Sequence, residues 1–195
     1  MQQAARKYLT PEEYLALEDA AEYKSEYYKG ETFAMARGSD EHNTIALNLV
    51  EGLRSSLRSK NCKLFMSDMK VWIEKVETFA YPDLAVVCGA PNYYQGRRDI
   101  ITNPLVLIEV LSESTKNYDR GEKFQLYRSL PSLREYILID QTALHVEQYY
   151  REAKFRWILT EHFGNDEILK LGSVEAELTL RAIYDSVEFN PSDKK

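Results

Sequence analysis

The sequence predicts an α/β (α+β) fold, a central mixed β-sheet flanked by helices with an added β-rich C-terminal part. Three observations carry this expectation. The run Leu105-Val106-Leu107-Ile108-Glu109-Val110-Leu111 is aliphatic at six of seven positions, the composition of a strand buried on both faces. A helical pattern over 118–129 and a second apolar run over 134–140 follow it, and strand, helix, strand in that order implies a right-handed crossover between parallel neighbours. A long amphipathic pattern over 41–59 supplies the other flanking helix.

Taken in order, Thr10-Pro11-Glu12-Glu13 is a helix start, with threonine as N-cap, proline in the first turn and acids beside the helix dipole. That helix is short and ends near Glu18. Residues 22–36 read as a hairpin turning at Lys29-Gly30, with Glu26 on its first strand. Ser39 or Asp40 caps the helix over 41–59, in which His42, Ile45, Leu49, Leu53 and Leu57 form one stripe. His42 therefore faces inward at the positive end of the helix dipole, which predicts a neutral imidazole. Strands are expected over 62–67, 69–74, 83–88 and 104–111, with a polar loop over 92–99 that holds the adjacent arginines Arg97 and Arg98. The helix over 118–129 must stop before Pro131. A second hairpin is expected over 144–150 and 154–160, short apolar runs follow at 168–171, and a closing helix is expected over 178–187.

The 195 residues suit a single domain, 1–195, with a core from about 8 to 187 and a loose polar tail over 188–195. No stretch reaches the ~20 apolar residues that span a bilayer, and no signal-peptide pattern opens the chain, so a cytoplasmic protein is expected. Cys62 and Cys88 stand far apart without a CxxC partner, which disfavours zinc; they read as small core residues, with a disulfide possible only in principle. A net charge of −6 argues against tight, non-specific binding of a polyanion, although a local basic patch can coexist with it. Whether Arg37, Arg97 and Arg98 form such a patch is a question for the tertiary structure. There is no Walker A loop, GxGxxG or HExxH, and no nucleophile elbow around Ser112, Ser114 or Thr115, which read as loop-capping hydroxyls.

The chemistry lies in two misplaced acids. Glu109 interrupts a buried aliphatic strand, and Asp83 stands where Tyr81-Pro82 enters the run Leu84-Ala85-Val86-Val87-Cys88. Carboxylates placed where packing prefers Val or Ile need partners, and the pair suggests a metal site. Asp119, Lys123 and Tyr127 recur every four residues and share a helix face beyond Glu109.

Glu26 with Gly30-Glu31, His42 opening a helix, Tyr81-Pro82-Asp83, Glu109-Val110-Leu111-Ser112 with Ser114-Thr115, then Asp119, Lys123, Tyr127, Glu135-Tyr136 and Asp140 together resemble the Uma2 (DUF820-like) family of the PD-(D/E)XK superfamily. The resemblance spans about residues 8–187 and implies a restriction-endonuclease-like fold, magnesium (or manganese) held by Asp83, Glu109 and the Val110 carbonyl, and phosphodiester hydrolysis in nucleic acid, DNA foremost. It also implies a homodimer. One departure stands out: the superfamily's acid-x-lysine would place lysine at position 111, where this chain has Leu111. Lys123, on the next helix, is similar to a migrated lysine. Catalytic candidates are thus Asp83, Glu109, Lys123, Glu26 and His42. The bland readings are a structural Glu109–Lys123 pair, a core hydrogen-bonding His42, surface positions for His145 and His162, and packing roles for the fourteen tyrosines. The runner-up function is a catalytically inactive nuclease-fold module that binds nucleic acid or protein.

Overall fold

The computed structural model describes residues 8–35 and 38–189, and Ala36, Arg37 and the tail from 190 onward fall outside them. The first helix, α1 (Pro11–Glu18), has its predicted cap: the Thr10 hydroxyl accepts from Glu13 N–H while the Glu13 carboxylate accepts from Thr10 N–H. β1 (Ser25–Tyr28) and β2 (Glu31–Ala34) form the first hairpin. Its two turn residues, Lys29 and Gly30, both have positive φ, as a tight right-twisted turn requires. α2 (Asp40–Leu57) buries Ile45, Leu49, Leu53 and Leu57 along one stripe. Gly52 on α2 permits close approach of the C-terminal part, since a methyl there would collide with Leu178.

Two larger sheets organise the molecule. One, in the order β2-β1-β5-β4-β7, joins the first hairpin to β4 (Lys70–Ile73), β5 (Thr78–Ala80) and β7 (Ile100–Ile101). The other, in the order β11-β10-β9-β8-β6-β3, contains β3 (Cys62–Met66), β6 (Leu84–Cys88), β8 (Val106–Leu111), β9 (Glu135–Asp140), β10 (His145–Ala153) and β11 (Arg156–Phe163). It is mixed: β8 pairs parallel with β9, as the strand, helix, strand order predicted, and antiparallel with β6. Val106, Ile108 and Val110 of β8 pack with α2. Leu107 and Leu111 point the other way, into a second core with Tyr127, Tyr136 and the first sheet. This two-sided burial explains the near-continuous aliphatic run, and Glu109 shares the face of Leu107 and Leu111.

Several sequence expectations need correction. β5 and β7 are too short to leave a periodic signal. The closing helix over 178–187 is instead strand β13 (Ala176–Thr179), paired with β12 (Ile168–Leu171), followed by a short helix Leu180–Ile183. The alternating burial of β13, with Ala176 and Leu178 inward, is strand periodicity that the Leu-rich composition masked. Cys62 and Cys88 are not free core thiols: they face each other across β3 and β6 and form a disulfide. His162 is buried rather than exposed, its Nε2 3.1 Å from Gln148 Oε1 and its Nδ1 3.4 Å from Glu167 Oε1, the residue before β12.

The crossover helix α3 (116–127) is not a uniform α-helix. Its middle, Asp119–Lys123, is a π-helical turn between the α-helical ends Lys116–Tyr118 and Phe124–Tyr127. Such turns are rare in helices and frequent at functional sites.

Candidate active site

The entry to β6, the middle of β8, the π turn of α3 and strand β1 meet around one ammonium group. Lys123 Nζ lies 3.0 Å from Glu109 Oε1, 3.1 Å from Glu26 Oε1 and 3.6 Å from Asp119 Oδ1, and donates to the Tyr81 carbonyl at 3.4 Å. Tyr127 hydroxyl donates to Glu109 Oε1 at 3.0 Å, and Tyr118 hydroxyl to Glu26 Oε2 at 3.1 Å. Asp83 adjoins from one step before β6: its Oδ2 accepts from Val110 N–H at 2.7 Å and lies 3.2 Å from His42 Nε2, while its own N–H approaches Glu109 Oε2 at 3.4 Å. Asp83, Glu109, Lys123, Glu26 and His42 are therefore brought together in space, with Val110 contributing its N–H to Asp83. Tyr136 hydroxyl fixes the Asp119 carbonyl at 3.1 Å.

Burial sets the electrostatics. Three carboxylates, Glu26, Glu109 and Asp119, surround Lys123, and a fourth, Asp83, adjoins them at Glu109. Burial pushes the Glu109 carboxyl well above its ordinary range; Lys123 opposes this, and Asp119, Asp83 and Glu26 reinforce it. Burial likewise raises Asp119. For Lys123 burial disfavours the charge, but Glu109, Glu26 and Asp119 outweigh it and hold the ammonium well above its usual value. At His42 burial lowers the pKa, yet the hydrogen bond and charge of Asp83 raise it above the ordinary value, the opposite direction to that expected from the helix dipole.

Could this donor set hold a divalent ion? Among the described residues no three Asp, Glu, His or Cys side chains form a ready-made metal cage. Magnesium seldom uses one: it takes one or two carboxylates and keeps waters for its remaining positions. Asp83 and Glu109, hard oxygen donors at the entry to β6 and on the adjacent strand β8, fit that demand.

Three other features bear on the sequence reading. The adjacent arginines do not form an open patch: Arg97 forks onto Asp19 at 2.6 and 2.8 Å and onto Asp99 at 2.9 and 3.2 Å, and Arg98 lies over the Tyr93 ring. Arg37 falls outside the described residues. Tyr118 and Glu18 were missed. Tyr118 is five residues from Lys123, off its face in an α-helix but aligned by the π turn, and its ring lies 5.9 Å from Lys123 Nζ. Glu18 accepts from the Tyr81 hydroxyl and from Ser25, and no periodic signal in the sequence marks it.

The fold and this geometry can be set beside known proteins. The Uma2 family, described as "Putative restriction endonuclease", matches residues 11–182. This chain belongs to the Uma2 family. Two Synechocystis sp. (strain ATCC 27184 / PCC 6803 / Kazusa) proteins are similar along most of their lengths: sll1609 is 38% identical over 84% of this chain and 92% of its own. The protein slr1290 is 33% identical over 93% and 94% respectively. A crystal structure from Anabaena variabilis ATCC 29413, described as "a putative nuclease belonging to DUF820", superposes with a TM-score of 0.74 at 18% identity, covering 90% of this chain and 97% of that one. This Uma2 chain thus has the mixed α/β, restriction-endonuclease-like fold. Among the described residues, no helix is long and apolar enough to cross a membrane.

Proposed function

We propose that this Uma2 protein is a metal-dependent endonuclease that hydrolyses phosphodiester bonds in nucleic acid, DNA foremost. Membership of a family described as "Putative restriction endonuclease" supports the reaction class. The observation that carries the site assignment is the convergence of Asp83, Glu109 and Lys123 from separate elements onto one buried cluster. Asp83, Glu109 and the Val110 carbonyl would hold magnesium, or manganese in its place. When bound, the ion supplies a water made nucleophilic near neutral pH and offsets charge developing on the phosphate. The chain's own residues prepare that step. Val110 N–H and His42 fix the rotamer of Asp83, and Tyr127 and Lys123 fix that of Glu109. Glu26, itself tied to Tyr118, holds the ammonium of Lys123 at the edge of the pair, where it offers positive charge to a phosphate. A homodimer belongs to the same reading, because two sites can address both strands of a duplex.

One observation favours a second reading. Lys123 is already paired with Glu109 and Glu26, as a nuclease fold retained only for binding nucleic acid or protein would have it. Titration calorimetry with magnesium and manganese, with and without a DNA duplex, separates the two. Heat of binding in the wild type that is lost in both Asp83→Ala and Glu109→Ala is the expected result. No binding at millimolar metal, with duplex present, assigns the binding-module reading instead.

A further inference from the structure

The outer edge of the six-stranded sheet is built unlike the other sheet edges. β11 runs eight residues with no strand beyond it among those described, whereas the edges β3, β2 and β7 have five, four and two. Protein edges are ordinarily guarded by short length, proline or charged side chains, and β11 is long, has no proline or lysine, and carries its two charged residues, Arg156 and Glu161, outside the segment 157–160. It leaves Ile158 40%, Leu159 47% and Phe163 63% exposed, and Phe155 in the adjoining turn is 89% exposed.

Two features of these apolar groups specify the occupant. First, they project from both faces, Ile158 on one and Leu159 and Phe163 on the other. A partner lying on one face would leave the other wet, whereas a paired strand shields both. Second, Phe155, Leu159 and Phe163 are evenly spaced, so the pattern is symmetric about Leu159. A two-fold axis through Leu159, perpendicular to the sheet, keeps each residue on its own face. It sets Phe155 of one copy beside Phe163 of the other, Ile158 beside Thr160, and Leu159 beside its own counterpart. A pattern that is its own complement is what an isologous interface requires.

We propose that two copies of this chain pair antiparallel through β11, joining their six-stranded sheets into one. This deepens the homodimer part of the function proposed above. The interface is remote from its chemistry, since β10 and β9 lie between β11 and the Glu109 strand.

Sedimentation velocity on the full chain across a wide concentration range tests it. The wild type is expected to sediment as a dimer, and Leu159→Lys and Phe163→Glu each as a monomer with unchanged far-UV circular dichroism. Leu159→Cys should give a covalent dimer with a short bismaleimide, because the axis places that residue opposite itself, whereas Glu177→Cys on β13 should not. A monomeric wild type, or a dimer that both charge substitutions leave intact, overturns the proposal. Metal binding by the Leu159→Lys variant is a separate readout, so loss of the dimer and failure of the nuclease reading are distinguishable.

Discussion

Glu109 is in the aliphatic core of a strand because its carboxylate has two dedicated donors, Tyr127 and Lys123, both from the helix that crosses over it. Its position could be read from the sequence, since an acid among six aliphatics is conspicuous. Its partners were also legible, at four-residue spacing on one helix face. What spacing could not show was that Lys123 also binds Glu26, a strand-borne acid 97 residues earlier in the chain. A different residue cluster contributes to acid stability. Asp99 is held down to about 2, from an ordinary 3.8, by its hydrogen bond to Arg97, opposed by burial and helped by Lys70. A carboxylate with a lowered pKa stabilises the fold above its unfolded pKa, and that contribution fades as pH falls through the folded value. Asp99→Asn is therefore expected to reduce stability at neutral pH and to flatten the acid limb between about pH 4 and 2, the two proteins converging below. With the Asp99 side chain 42% exposed, solvent screening limits the difference to about 1 kcal/mol. Urea unfolding across that pH range measures it.

At the scale of elements, α3 decides the site. A regular α-helix would carry Asp119, Lys123 and Tyr127 inward and leave Tyr118 to the side; the π turn brings Tyr118 in above Lys123 as well. Gly121 lies inside that turn without positive φ, and a Cβ added there meets nothing within 4 Å. Glycine in a helix interior is less favourable than alanine, so Gly121→Ala should stabilise the protein by about 0.5–1 kcal/mol in chemical denaturation. A loss of stability would mean that the turn needs backbone freedom. The other elements were legible according to length and period. α2, α3, β8 and β9 are long or strongly patterned; β5, β7 and β13 are two to four residues, too few for period to separate strand from helix or loop.

For the whole molecule, the Cys62–Cys88 disulfide fastens the edge strand β3 to β6, the strand that Asp83 leads into. Closing a loop across a sequence separation of 26 restricts the unfolded chain by roughly 3 kcal/mol. Denaturation with and without reductant should differ by about that amount, and Cys88→Ser should match the reduced wild type. An equal midpoint in both conditions would show that the bridge adds nothing to the fold.

The sequence by itself determined the fold class, the parallel crossover and the two acids, because burial leaves period and composition marks along a continuous segment. Five of the residues that resemble the Uma2 family, Glu26, His42, Asp83, Glu109 and Lys123, lie together in the fold. Only the tertiary structure decided the rest: the disulfide, the burial of His162, the contact of His42 with Asp83, the pairing of Arg97 with Asp19 and Asp99, and the reach of Lys123 to Glu26. Each depends on contacts between segments distant in the chain, and neither residue alone records in its local pattern which neighbour folding will set beside it.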